Sequence, residues 1–400
     1  MKLKYLVFTC IFLISGFYLS AQETTSNSFG NGIINSVAKD SSFSIKFGAR
    51  FQSLYISNWK NSELEGFKSE SSNFLIRRAR LKFNGFAYSP KLEYKIELGL
   101  SNRDISGASK FTSDAPRYVL DAVLKWNFYE NFVLWAGQAK LPGNRERVVS
   151  SGNLQFVDRS LLNGQFNIDR DLGLQLHHKI DLGNQVVIKE AFALSQGEGR
   201  NVVTGNLGGY QYTGRLEVLP FGEFKDYSEA SLERYATPKL AMGVTYDYNN
   251  KAVKTRSNMG EYMFTENGLH RTDITTFFAD FMFKYKAISV LGEFAHRDAD
   301  NPIAIEEDGT PTGAVVNVGN SFNLQGGYLL DNNIEFVGRF TNVHETIAGA
   351  RFPNLNQYTL GVSKYISKHK LKVQTDISFN DNPDPGMNQV VYRLQVDLHL

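Results

Sequence analysis

Thiols are almost missing from this chain of 400 residues, which has one cysteine, Cys10. It lies inside the apolar run Tyr5–Phe17 and is expected to leave with a cleaved leader, so no disulfide, thiolate nucleophile or cysteine zinc set is expected. Long apolar runs are missing as well. Beyond the leader no stretch approaches the ~20 residues that a membrane-crossing helix needs. Residues 1–21 carry two of the 43 Lys and Arg and none of the 41 Asp and Glu, which leaves the rest of the chain formally neutral. Without a basic excess no nucleic-acid partner is expected, and charge has to be judged by where it falls.

Catalytic signatures are equally sparse. No Gly-x-Ser-x-Gly elbow or phosphate-binding glycine loop occurs. His177 and His178 are adjacent and point to opposite sides of a strand, and His344-Glu345 lacks a second histidine four residues on. Asp298-Ala-Asp300-Asn301 reads as a solvated acidic turn in preference to a calcium loop. No enzyme activity, metal or cofactor is expected.

What is present begins with a leader: Lys2 and Lys4, the apolar run, then Ala21 at a small-residue cleavage site, which predicts a mature start at Gln22. A polar linker over residues 22–42 follows. From Phe43 the chain alternates. Phe43, Ile45, Phe47, Ala49 and Phe51 share one face, while Ser44, Lys46, Gly48, Arg50 and Gln52 share the other. The pattern returns with Leu75, Ala79, Leu81 and Phe83 opposite Arg78, Arg80 and Lys82, and with Leu92, Tyr94, Ile96 and Leu98 opposite Glu93, Lys95 and Glu97. It closes the chain, where Val390, Tyr392, Leu394, Val396, Leu398 and Leu400 oppose Arg393, Gln395, Asp397 and His399. Charges repeated at every second position cannot face a packed core. They fit water inside a closed barrel whose exterior meets lipid, with strands of about 9–11 residues crossing the bilayer. The spacing predicts an all-β, transmembrane antiparallel barrel of about sixteen strands over residues 43–400.

Short connections at Ser89-Pro90, Tyr129-Glu130-Asn131, Asp181–Asn184, Lys286, Asp331-Asn332 and Ser367-Lys368 alternate with long ones, the asymmetry of periplasmic turns and external loops. Pro220–Pro238 is long on the short-turn side and breaks the rule. Aromatic residues gather at strand ends, Tyr55 and Trp59 at one end and Trp126 and Phe128 at the other, as interfacial girdles do. Strict alternation puts Arg77 on the lipid face.

Candidate anion-binding residues are Arg50, Arg78, Arg80, Lys82 and Lys95 on neighbouring strands, with Arg393 and Lys372 brought near by barrel closure. Fixed cations in a wet constriction attract anions, and the forked guanidinium suits phosphate. The competing reading is that these cations only pair with Glu93, Glu97 and Asp121. The loop Leu141–Ile168 carries Arg145, Arg147 and Arg159. Its alternatives are a constriction folded into the barrel and an exposed loop that binds surface lipid.

Several segments together resemble one family. Arg77-Arg78-Ala-Arg80-Leu81, Gly137-Gln138-Ala-Lys140-Leu-Pro142-Gly143 with Glu146-Arg147, Asp158-Arg159-Ser160 and Arg170-Asp171-Leu-Gly173 are similar to the phosphate-selective porin O/P family of Gram-negative outer membranes. Gly214-Arg215-Leu216, Gly292-Glu293-Phe294 and Gly327-Tyr328-Leu329 extend the resemblance. It implies a sixteen-stranded barrel in the outer membrane, a homotrimer, passive diffusion of small anions such as phosphate, and a constriction built from the Leu141–Ile168 loop. The alternatives are a general or organic-acid porin and, from another class, an outer-membrane barrel enzyme acting as lipase or protease.

Overall fold

A computed structural model describes residues 29–62, 66–105, 107–183, 185–347, 354–384 and 386–400. The leader, its cleavage site and Cys10 lie outside the described residues. Sixteen strands form the wall. The first eight are β1 (Ser44–Ser62), β2 (Gly66–Ala87), β3 (Ser89–Gly99), β4 (Val119–Tyr129), β5 (Phe132–Lys140), β6 (Arg170–Asp181), β7 (Val187–Ser195) and β8 (Gln211–Leu219). The others are β9 (Lys239–Ala252), β10 (Thr272–Tyr285), β11 (Ile288–Ala299), β12 (Gly319–Leu329), β13 (Ile334–Glu345), β14 (Leu355–Ser367), β15 (Leu371–Asp381) and β16 (Gln389–His399). Each pairs antiparallel with the next, and β16 pairs with β1 from Arg50 opposite His399 to Lys60 opposite Gln389, which closes the barrel.

Burial is inverted relative to a water-soluble sheet. In β9 the polar Thr245 and Asp247 are buried, whereas Val244 and Tyr246 are exposed at 45% and 57%. Apolar side chains face outward because lipid is the solvent there; polar ones face inward, where the wall has something to bond. The outward rings cluster near the strand ends, as in Tyr55 with Phe74 and Trp126 with Phe128.

Two departures from simple alternation shape the ends. Ile34–Val37 forms a short strand paired with the start of β1, Ile34 opposite Phe47, so part of the expected linker extends the sheet beyond the end of β16. The hairpin β1–β2 has strands of 19 and 22 residues. A strand needs about 9–11 residues to cross, so its long-loop end stands clear of the bilayer.

The interior is half filled. The connection from β5 to β6 folds into the barrel through α1 (Arg145–Val148) and α2 (Leu161–Phe166). Ser160 caps α2 by accepting from the Asn163 amide at 3.2 Å, and Arg297 of β11 donates to the carbonyls of Gln165, Phe166 and Asn167 at its far end. Leu141, Leu162, Phe166 and Ile168 pack on Ala193, Phe278, Ala295 and Val343 of the wall, a small apolar core inside the barrel. Residues 220–238 are a true insertion and also enter the barrel, from the short-turn end. The two segments meet where the Glu229 amide donates to Asn153 O at 3.0 Å and Glu229 Oε2 accepts from the Gln155 amide at 2.8 Å.

Candidate solute channel

The inward segments are bonded to β11, β13 and β15. Lys372 Nζ donates to Leu154 O at 2.8 Å, the Val157 amide donates to Asp376 at 3.0 Å, and Gln155 Nε2 donates to Ser289 and Glu335 at 2.6 Å each. What stays open is a cavity of about 850 Å³ along β1–β6, reaching from Gly30, Lys46 and Lys370 at the short-turn end to Arg117, Arg200 and Arg256 at the other. Its lining holds seventeen Lys and Arg against five Asp and Glu. Such an imbalance in a water-filled passage favours anions and disfavours cations.

Most of the expected residues line this space: Arg50, Arg78, Arg80, Lys82, Lys95, Arg147 and Arg159. Arg145 does not. It is fully buried, and its guanidinium reaches Glu217 at 2.6 Å, Asp280 at 2.8 Å and Asp226 at 3.1 Å, so it anchors the inward loop. Arg393 and Lys372 are likewise structural, Arg393 bonded to Asp376 at 2.6 Å and Lys372 to the loop backbone. The pairing alternative holds in part. Arg80 meets Asp104 at 2.6 Å and Glu97 at 3.1 Å, and Lys95 meets Glu97 at 3.0 Å and Asp121. Arg50 takes Asp397 with two donors, at 2.9 and 2.7 Å. Lys82 and Lys46, by contrast, have no ion pair among the described residues.

Arg77 faces the lumen, against the alternation. Gln52 pairs with Arg78 and Ser53 with Ile76, so Arg77 is the extra residue of a β-bulge in β2. The bulge turns two consecutive arginines inward, where Asp158 of the inward loop receives Arg77 at 2.9 Å and Arg78 at 3.6 Å. Burial acts to raise the Asp158 carboxyl, but Arg77, Arg78 and Arg393 together hold it below the usual carboxylate range. Burial and the neighbouring Arg147 push the Arg159 guanidinium down to about 9, and its donors go to the carbonyls of Glu146 and Val149 at 2.8 and 2.6 Å.

The model of the phosphate-selective porin O and P family matches residues 47–334. The chain belongs to that family. Similar folds include an anion-selective porin from Comamonas acidovorans, with TM-score 0.56 and 11% identity over 90% of this chain and 100% of that one. The outer-membrane protein OmpT of Vibrio cholerae, folded in vitro, gives TM-score 0.55 and 12% identity over 91% and 99%. OmpF of Salmonella typhi, in complex with daunomycin, gives TM-score 0.52 and 10% identity over 90% and 99%. Curated proteins contain no match to the chain. Family and fold together identify an outer-membrane β-barrel porin, a channel for small solutes.

Further lining cations of this porin escape sequence reasoning. Gly137 has φ 125°, and a Cβ there would lie 2.3 Å from Ala122 O, so the strand is irregular at that point. Past it Lys140, on the parity of the outward Leu134 and Ala136, turns in and donates to the carbonyls of Arg147, Val148 and Val149 at 2.7, 3.1 and 3.2 Å. Arg170, opposite Lys140, also turns in and bonds Asp121 at 2.7 Å. Arg103, Arg117 and Arg200 come from long connections, which carry no periodicity to place them. Arg77 stands in the basic triplet Arg77-Arg78-x-Arg80, and Lys140 and Arg170 stand in family-like motifs, but alternation turns none of the three inward.

Proposed function

We propose that this porin passes small anions by electrostatically filtered diffusion, with phosphate or similar inorganic anions preferred, and that Arg50, Arg78, Arg80, Lys82, Lys95, Arg147 and Arg159 contact them. One observation carries the reading: the passage has seventeen cationic side chains to five anionic ones. Several of the cations are satisfied by backbone carbonyls, as Lys140 and Arg159 are, which leaves their charge uncompensated. Diffusion down a gradient needs no cofactor and no covalent step, so the protein acts as a channel and performs no catalysis.

We further propose export by a leader cleaved before Gln22, residence in a Gram-negative outer membrane in contact with its lipid, and assembly as a homotrimer. A trimer form of the Vibrio cholerae OmpT, with TM-score 0.53 to this chain, supports the last point by analogy of fold. N-terminal sequencing of the membrane-inserted protein and cross-linking in native membranes test these statements.

The deciding experiment is the reversal potential across planar bilayers in a salt gradient, with phosphate compared against chloride. A strongly anion-selective potential and phosphate block of chloride current are expected. A channel that does not discriminate by charge would replace this reading with a general porin.

A further inference from the structure

Beside the channel lies a second cavity, of about 380 Å³, with a different character. It opens near Asn131, Lys179 and Lys189 at the short-turn end and adjoins the channel through Lys95, Lys140 and Val148, which line both. Its walls are apolar for a porin interior. Val123, Val133, Leu141, Pro142 and Tyr227 line it together with the indole of Trp135, which faces inward from β5. The His177 ring, 4.2 Å away centroid to centroid and tilted by 30°, holds the indole from one side.

Charge in this cavity is also one-sided. Three carboxylates line it against six Lys and Arg: Glu217 is held by Arg145 and Arg215, Asp121 by Arg170 and Lys95, and Glu190 lies 3.0 Å from His178 Nδ1. At the rim, Lys179 and Lys189 are engaged with Glu223 and Asp226. Lys125 has no ion pair among the described residues, and its ammonium rests 3.8 Å from the Trp135 ring centroid. A bare ammonium on an aromatic face, at the edge of an apolar recess, complements a ligand with a carboxylate at one end and a flat apolar body at the other.

We propose that this recess is a binding site for aryl carboxylates, in which the ring packs on Val123, Val133 and the edge of the Trp135 indole and the carboxylate pairs with Lys125. The site rests on the porin reading only for the ligand's access, since an organic anion drawn into the basic lumen reaches it past Lys95 and Lys140. Small inorganic anions gain nothing from the apolar walls and stay in the channel.

The experiment uses the full mature protein in detergent, with Trp59→Phe and Trp126→Phe leaving Trp135 as the only tryptophan of the original three. Benzoate should change its emission saturably, whereas acetate and benzylamine at equal concentration should not. Lys125→Gln should weaken the benzoate response roughly fivefold, the scale of one exposed ion pair. Val133→Glu, which puts a carboxylate on the same wall, should abolish it. Heat-modifiable migration on a detergent gel identifies variants that still fold. No saturable change with benzoate, an equal response to acetate, or an unaltered response in both folded variants overturns the site. Because emission requires no conduction, an anion-selective channel that ignores benzoate refutes this inference alone, and benzoate binding by a non-selective channel refutes the proposed function alone.

Discussion

Replacing Lys46 and Lys82 by glutamine removes two positive charges from the channel wall without orphaning a carboxylate, because neither ammonium has an ion-pair partner among the described residues. An ion passing about 5 Å from a unit charge in water-like surroundings feels about 0.8 kcal/mol. At about 0.15 M salt the ~8 Å Debye length reduces this to about 0.4 kcal/mol per charge. The loss acts with opposite sign on anion and cation. Two charges should therefore lower the anion-to-cation permeability ratio about 20-fold at that salt, and about threefold at 1 M, where the Debye length is ~3 Å. Reversal potentials in potassium chloride gradients at both mean concentrations read the change directly. Wild-type selectivity in the double variant at low salt would refute the argument that unpaired lumen cations filter ions. A shift that ignored salt would refute its electrostatic origin.

Arg145→Gln should cost about 3–5 kcal/mol, the scale for breaking a buried ion pair, since it strips the cation shared by Glu217, Asp226 and Asp280. The temperature at which the heat-modified band appears should fall, and the reversal potential of the folded fraction should not change. Arg147→Gln with Arg159→Gln should weaken phosphate block of chloride current about 25-fold, about fivefold for each guanidinium removed from the anion's path; unaltered block would take both residues out of the ion path. Glu229 supplies a pH dependence. Burial, then the neighbouring Glu146, raises its carboxyl to about 7, and its Oε1 has no partner, which leaves room for a proton. Folding favours the protonated form, so this contribution is complete below the ordinary carboxylate range and is lost as pH rises through about 7. The heat-modification temperature should drop between pH 5 and 8 in the wild type and drop less in Glu229→Gln; equal slopes would contradict the assignment.

The strands are legible because lipid and water impose a period of two on every crossing segment, and that period is written in residues such as Val390–Leu400 without reference to any partner. Alternation puts Arg77 on the wrong face for the same reason: one extra residue opposite Gln52 and Ser53 shifts the parity, and a bulge leaves no mark on composition. Lys140 and Arg170 escape the pattern at strand ends, where loop carbonyls and Asp121 outweigh alternation. Arg145 and Arg147 are two residues apart in the sequence, yet one is locked among three carboxylates and the other, held by Asp169, lines the passage. The difference lies in Glu217, Asp226 and Asp280, which belong to β8, the 220–238 segment and β10. No local pattern brings those three together.

The meeting of the two inward segments at Asn153, Gln155 and Glu229 divides the molecule by vulnerability as well as by space. Inward positions on β10–β15 touch packed protein, as Thr276, Ser321, Asn323 and Glu335 do at 0% exposure, so substitutions there are tolerated or lost according to whether the chain folds. Inward positions on β1–β3 such as Lys46, Arg50, Arg80 and Lys82 line the open channel, and Lys82 can change without disturbing a partner. A lineage under pressure to admit a different anion can change Lys46 or Lys82 at little structural cost, while the opposite wall preserves the barrel. Sequence drift among descendants of this gene should therefore be lopsided around the circumference, with new permeabilities appearing at β1–β3 long before the opposite side can follow.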